Sequence, residues 1–388
     1  MGYQDFPWQR GGSRSFEKLV SLSLPALKGK SVLDAGCNDG YFCGWASFQG
    51  AERVKGIDRH APSIQQARLW FPQCSFACQD WSSLGHETFD LILCLSAIHY
   101  ADDQQALINQ FMTRLNPNGL LVLELGIAPG DEDAFIPVRR NLTRSVSDVR
   151  LFPTRAKMKS MLSKYSHKFM GYSVMQRGDP TPRCVYHIQH KKPIAVLFLD
   201  KHYSGKSSVA DAILRPDLAR IAGEMVYHDI HEGTVQASEA LKQCIQVEGD
   251  TVHMIPPKIT MRICQSGLLP ELIELFIRLA GKTDMVLDHY VPFEYRGRVA
   301  ELCAQAGYFV ADVALYTGYR RPWVAIRPPY KQYLAYTAHL EKLSSINEDD
   351  YLEANPDVAE AVAAGTIPSG QYHYWHFGRR EGRSLRKG

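Results

Sequence analysis

Two short glycine-containing stretches hold the residue types best suited to chemistry. Val32-Leu33-Asp34-Ala35-Gly36-Cys37-Asn38-Asp39-Gly40 lies near the N-terminus, and Asp200-Lys201-His202-Tyr203-Ser204-Gly205-Lys206-Ser207-Ser208 lies mid-chain. In the first, an apolar run ends in an acid and leads through Gly-x-x-x-Gly into a helix. That is a tight turn bringing backbone N–H groups close to a ligand. Its spacing differs from the dinucleotide G-x-G-x-x-G, and Cys37-Asn38-Asp39 offers no phosphate nest, so the ligand it suits is an adenosine cofactor without phosphates. Asp58 closes the second strand, where an acid can accept both ribose hydroxyls. Asp80 follows the third, placed for an adenine amino group. The second stretch is the back half of a P-loop: Lys206 for phosphates, backbone N–H groups around Gly205 as a cradle, and the hydroxyls of Ser207 and Ser208 for Mg²⁺ and nucleotide. Asp200 stands where that pattern has glycine.

Regular elements must position these loops. Strands over 31–34, 53–58, 75–79, 89–95 and 120–125 alternate with helices over 15–27, 41–49, 62–71 and 102–115, which predicts a parallel sheet covered on both faces. Asn116-Pro117-Asn118-Gly119 reads as a turn, and 168–190 as two strands around Arg177-Gly178-Asp179-Pro180. A fresh strand over 194–199 opens a second α/β region, with strands at 284–287 and 308–316 and a helix at 294–305. The stretch from Tyr319 to Tyr330 reads as an extended connector, and 331–345 as an exposed helix. The expected boundaries are 1–190, 191–330 and a helical C-terminal extension over 331–388.

Together, Val32 to Gly40, Asp58 and Asp80 resemble the three successive motifs of class I S-adenosylmethionine-dependent methyltransferases. The resemblance spans roughly residues 1 to 190 and implies a Rossmann-like α/β domain. It implies cofactor contacts from Asp34, Gly36, Asn38, Gly40, Asp58 and Asp80. In such a sheet the carboxyl ends of the strands face the ligand crevice, so His99, after the fourth strand, is the candidate general base. Arg10 and Arg14 precede the core, and Arg139, Arg140 and Arg144 follow the fifth strand. They are candidates for binding an anionic acceptor.

The second region is similar to small-molecule P-loop kinases, which implies ATP and Mg²⁺. Met285-Val286-Leu287-Asp288 matches their acid-terminated strand, making Ser207 and Asp288 the metal-side residues. Asp229 is the candidate on the acceptor side and Lys206 the phosphate-side catalytic residue. A kinase and a methyltransferase in series resemble, in logic, the bifunctional enzymes that cap bacterial O-antigen polysaccharides with a methyl phosphate, although those carry a protein-kinase-like domain. The resemblance implies a glycan or lipid-linked polysaccharide acceptor. The C-terminal stretch Asp350 to Ala359, with His373-Tyr374 and Phe377 to Arg383, resembles a short helical motif of bacterial polysaccharide glycosyltransferases, which implies contact with polysaccharide-assembly proteins.

Two alternatives stand beside this reading. In one, the second region is degenerate and serves binding or assembly. In the other, the enzyme modifies RNA, because Asn38-Asp39-Gly40-Tyr41-Phe42 also resembles tRNA wobble-uridine enzymes. A net charge of +3 on 388 residues argues against a nucleic-acid surface. The nine cysteines include no CxxC pair, which fits free thiols in a reducing compartment. With no leader pattern and no apolar stretch of membrane-spanning length, the expectation is a cytoplasmic protein, peripheral at most to the inner membrane.

Overall fold

The computed structural model describes residues 3–6, 11–141, 147–175, 179–200, 206–212, 218–246, 255–312, 322–337, 340, 346–364, 366–367 and 369–386. The chain forms two compact units. One comprises Met1–Ser163, His167–His190 and Arg321–Gly388, the other Lys164–Ser166 and Lys191–Arg320.

The first unit runs α1 (Ser15–Leu22), β1 (Ser31–Ala35), α2 (Tyr41–Phe48), β2 (Arg53–Asp58), α3 (Ala61–Trp70), β3 (Ser75–Cys78), β4 (Phe89–Leu95), α4 (Gln104–Thr113) and β5 (Leu115–Gly126). It continues through β6 (Phe135–Asn141), β7 (Ser147–Pro153), α5 (Arg155–Leu162), β8 (Ser166–Tyr172) and β9 (Arg183–Gln189). Seven strands form one sheet in the order β3-β2-β1-β4-β5-β9-β8. The pairs among β1 to β5 are parallel, and β9 runs antiparallel to β5. Val32, Leu33, Leu91, Ile92, Leu121 and Val122 are buried, as strands covered by helices on both faces require. The strand order reverses between β1 and β4, and that switch point opens a crevice at the carboxyl ends.

Several local expectations change. The turn at Asn116–Gly119 lies inside β5 as a bulge: Phe89 pairs with Leu115, but Leu91 already pairs with Leu120. Pro117 has no N–H to give a ladder, so the chain loops out and rejoins. The hairpin β6–β7, pairing Phe135 with Pro153 through Asn141 with Ser147, was not anticipated. Its apolar and charged residues do not alternate cleanly enough to announce strands. α1 stops at Leu22 because Ser23 turns left-handed (φ 49°).

The second unit runs β10 (Ile194–Phe198), α6 (Lys206–Ala212), β11 (Ala219–Ala222), α7 (Gly223–His231), α8 (Glu239–Ile245), α9 (Pro256–Gln265), α10 (Leu269–Leu279), β12 (Met285–Asp288), α11 (Phe293–Gln305) and β13 (Phe309–Asp312). Its four strands are parallel in the order β11-β12-β10-β13. The expected strand end over 313–316 lies outside the described residues.

The stretch read as an extended connector is helical: α12 spans Pro322–Thr337. Nor is the helix expected over 331–345 simply exposed, since Tyr333 is fully buried. Tyr330 stacks on Phe16 at 4.1 Å, and Tyr333 meets Trp45 edge-on at 5.4 Å. The aromatic face of α2 thus gives the returning chain an apolar seat, which outweighs the local cost of the prolines. Where a boundary at 330 was expected, the chain from Arg321 onward belongs with the first unit. Beyond it, helices over Glu348–Ala354 and Pro356–Ala363 gather around buried Tyr351, whose hydroxyl meets His373 Nδ1 at 3.0 Å. Among the described residues, no helix is long and apolar enough to cross a membrane.

Candidate active site

The first glycine loop holds its own N–H groups. Those of Gly36 and Cys37 both donate to Ile57 O (2.8 and 3.0 Å), and that of Gly40 donates to Cys37 O (3.0 Å). Asn38 N–H donates to Asp58 Oδ2 (3.0 Å). Gln4 spans the loop, its Nε2 donating to Cys37 O (3.1 Å) and its Oε1 accepting from Tyr41 N–H (3.0 Å). With these donors satisfied internally, the loop offers little to a phosphate. Gly36 and Gly40 take φ values of 91° and 85°, open only to glycine at low cost. A Cβ on Gly40 would press on Ala67, Phe76 and Phe71 at 3.1–3.2 Å.

Acids ring this loop. Asp34 ends β1 almost fully buried, and Cys43 Sγ donates to its Oδ2 at 3.8 Å. Burial first, then repulsion from Asp58, pushes its carboxyl up to about 7, against the opposing pull of Cys43 and Lys18. Asp58 ends β2, and its Oδ1 also accepts from His60 N–H (2.9 Å). Each of its oxygens keeps a lone pair for a further donor. Asn38 sits at φ 49°, and its Oδ1 is buried without a hydrogen bond. These groups fit a ligand that brings hydroxyl, amino or cationic groups and no phosphate. Asp80 caps the turn Trp81–Ser83 by accepting from Ser82 N–H (3.0 Å). It lines an open crevice with Arg59, Trp81 and Tyr100.

A buried ionic cluster stands at the carboxyl ends of β4 and β5 and the amino end of β9. Lys18 Nζ lies 3.1 Å from Glu124 Oε2, with side chains 2% and 0% exposed. Lys18 also donates to Ser96 Oγ (2.9 Å), as does Arg183 Nη1 (2.6 Å), while Ser96 donates to Glu124 in a short contact. Arg183 Nη2 binds Asp179 Oδ1 at 2.6 Å. Burial raises the Glu124 carboxyl, but Lys18, and then Arg183 and the hydroxyls of Ser173 and Ser96, outweigh it and hold it below the ordinary range. Ser96 itself has φ 56°, a conformation that costs a non-glycine residue about 1 kcal/mol or more and persists where surroundings over-determine it. The sequence reading missed this cluster. The lone Glu124 inside Leu120-Leu121-Val122-Leu123-Glu124-Leu125 was its available signal, since a buried acid needs a cation.

His99 lies beside the cluster in a turn over Ile98–Tyr100, nearly buried and stacked on Phe152 (5.4 Å between centroids, 21°). The glycine loop adjoins this segment, as a Cβ on Gly36 would meet Ala97 Cβ at 3.1 Å. The arginines do not gather into a cradle among the described side chains. Arg14 pairs with Glu17 at 3.1 Å and is exposed, and Arg139 is exposed on β6. Arg10, Arg144 and the side chain of Arg140 lie outside the described residues.

In the second unit, Gly205 and the side chain of Lys206 lie outside the described residues, and Ser207 and Ser208 are exposed on α6. Asp288 closes β12 opposite Phe198 of β10 and pairs with Arg220 Nη2 at 3.3 Å. Asp200 pairs with Arg296 Nη1 at 2.6 Å. Asp229, the acceptor-side candidate, lies in the second turn of α7, which begins at Gly223. Among the described residues, no group of three or more His, Cys, Asp or Glu side chains is disposed to hold a metal ion.

Residues 8–151 match the family model described as a methyltransferase domain. A tRNA U34 carboxymethyltransferase of Hahella chejuensis is 29% identical over 139 residues, covering 34% of this chain and 40% of that protein. A ubiquinone biosynthesis O-methyltransferase of Neisseria meningitidis serogroup C is 28% identical over 103 residues, covering 24% of this chain and 43% of that protein. The chain thus spans about half or less of these relatives' lengths. A putative S-adenosylmethionine-dependent methyltransferase structure from Listeria monocytogenes aligns with 46% of this chain and all of its own, at 15% identity and a TM-score of 0.38. Residues 8–151 thus carry a methyltransferase domain.

Proposed function

We propose that this chain transfers a methyl group from S-adenosylmethionine to an acceptor held at the carboxyl ends of β4 and β5. The observation that carries the reading is the glycine loop: its N–H groups are spent internally while Asp58 stands beside it at the end of β2. Gly36, Asn38 and Gly40 would shape the cofactor seat, Asp58 would accept from its ribose, and Asp80 would approach its adenine. When bound, S-adenosylmethionine supplies an electrophilic methyl group, and the acceptor supplies the electron pair. His99 takes the acceptor's proton, as a base within reach of the crevice should. Titrating S-adenosylhomocysteine into the protein tests this reading. One-to-one binding weakened at least about tenfold in Asp58→Ala is expected, and its absence in the folded protein would refute the reading.

A second reading adds a nucleotide-dependent kinase in the second unit, acting on a glycan or lipid-linked polysaccharide end. The strand order β11-β12-β10-β13 favours it, because Asp288 then lies next to the strand leading into residues 200–208. Lys206, Ser207 and Asp288 would hold ATP and Mg²⁺, with Asp229 on the acceptor side. ATP-dependent phosphorylation of a glycan that disappears in Lys206→Ala would support it. An RNA acceptor draws support from the relatives named tRNA U34 carboxymethyltransferase, and salt-dependent tRNA binding tests it.

A further inference from the structure

Gln4 meets the glycine loop through both ends of its amide. Its Nε2 donates to Cys37 O at 3.1 Å, and its Oε1 accepts from Tyr41 N–H at 3.0 Å. Tyr41 opens α2, where the first N–H groups have no partner inside the helix, and Gly40 before it offers no side-chain cap. Gln4 therefore supplies, from 37 positions away, the cap that other helices draw from their own N-cap residue. The loop it holds is costly to order: Gly36, Asn38 and Gly40 all take left-handed φ values, of 91°, 49° and 85°.

The surrounding chain is built to keep Gln4 there. Gln4 is 4% exposed. Two residues on, the Phe6 ring packs edge-on against Tyr41 and Trp70, at 5.4 and 4.6 Å between centroids. Ser13 N–H donates to Tyr3 O (2.8 Å), Gly11 N–H to Asp5 Oδ1 (3.1 Å) and Asp5 N–H to Ser15 Oγ (2.9 Å), which ties the segment to the start of α1. Gly11 approaches so closely that a Cβ there would come within 2.1 Å of Gln4 O.

We propose that Gln4 is a positioning residue for the cofactor, holding the glycine loop in its binding shape before S-adenosylmethionine arrives. It acts through the loop backbone. By fixing Cys37 and Tyr41 on either side of Asn38, it fixes the N–H group that Asn38 gives to Asp58 Oδ2. A loop ordered in advance loses less entropy when its ligand binds. The inference rests on the methyltransferase reading and adds a residue to its site.

The test titrates S-adenosylhomocysteine calorimetrically into the full-length protein, well below its unfolding temperature. Gln4→Met keeps the side-chain volume, removes both hydrogen bonds and should weaken binding about fivefold or more. Gln4→Glu adds a readout that a merely structural role would not move. Its protonated carboxyl can donate to Cys37 O and accept from Tyr41 N–H, as the amide does. Once ionised it has no donor and sets a negative charge against the carbonyl. Burial raises the titration of such a carboxyl above its ordinary value of about 4.3. The affinity of Gln4→Glu, taken relative to wild type at each pH, should therefore fall about fivefold or more between about pH 5 and about pH 8. A relative affinity that does not change with pH, or wild-type binding by Gln4→Met, would overturn the role of Gln4. If Gln4→Met does not fold, the Gln4→Glu series decides alone. Failure of the wild type to bind S-adenosylhomocysteine would instead overturn the methyltransferase reading beneath it.

Discussion

The two units treat the acids beside their glycine-containing stretches differently. In the first, Asp34 is buried with no cationic side chain in contact among the described residues, and Asp58 spends its oxygens on backbone N–H groups. In the second, Asp200 and Asp288 are each held by an arginine, at 2.6 and 3.3 Å. A site prepared for a cationic, hydroxyl-rich cofactor can leave acids waiting for donors. A polyphosphate or Mg²⁺ entering the second unit would first have to exchange ion-pair partners. The first crevice is the better preorganised of the two for its ligand.

The largest expected contrast comes from breaking one ion pair in each unit. Lys18→Ala leaves Glu124 charged and buried beside Arg183 alone and should cost about 3–5 kcal/mol in urea unfolding. Arg296→Ala opens a pair whose side chains keep 21% and 11% exposure and should cost less, about 2–3 kcal/mol. Comparable losses would erase the distinction.

Tyr333→Ala removes the fully buried ring that seats α12 on α2 and should cost about 3–5 kcal/mol, although residue 333 follows the second unit in sequence. A loss under about 1 kcal/mol would mean that α12 is not part of the first unit's core.

The pH dependence separates two buried groups of the first unit. Asp34 titrates near 4 when unfolded and at about 7 when folded, so its contribution is complete below about pH 4 and is lost as pH rises through 7. Asp34→Asn should remove that decline, a difference of a few kcal/mol at neutral pH. His187 behaves oppositely. Burial, partly offset by its 2.8 Å hydrogen bond to Leu22 O, lowers it to about 4. Its contribution is present above about pH 6.5 and lost as pH falls through 4, and His187→Gln should remove that acid-side loss. Parallel stability–pH curves for wild type and both variants would contradict these assignments.

Much of this was legible in the sequence, and what was not has a physical reason. The run Val32 to Gly40 announces strand, turn and helix because apolar residues, an acid and two glycines each demand one local conformation. The strand at 89–95 declares itself by its apolar character. Lys18, Ser96, Glu124 and Arg183 lie far apart along the chain and meet only because β4, β5 and β9 are neighbours. Gln4 is an ordinary polar residue near the start of the chain until the glycine loop closes on it. α12 was misread because its prolines speak locally for extension, while the aromatic seat that holds it lies nearly 300 residues earlier, at Phe16 and Trp45.

The smallest effect tests the glycine loop. Gly40→Ala places a side chain at φ 85° against three close neighbours and should cost about 1–2 kcal/mol of stability together with cofactor affinity. Unchanged affinity would mean that the loop does not shape the cofactor seat.

The most direct test of the central claim is a calorimetric titration of S-adenosylhomocysteine into wild type, Asp58→Ala and Lys206→Ala. The account predicts one site in the wild type, weakened at least about tenfold by the first substitution and unaffected by the second. Binding that survives Asp58→Ala but is lost in Lys206→Ala would place the cofactor in the wrong unit and contradict it.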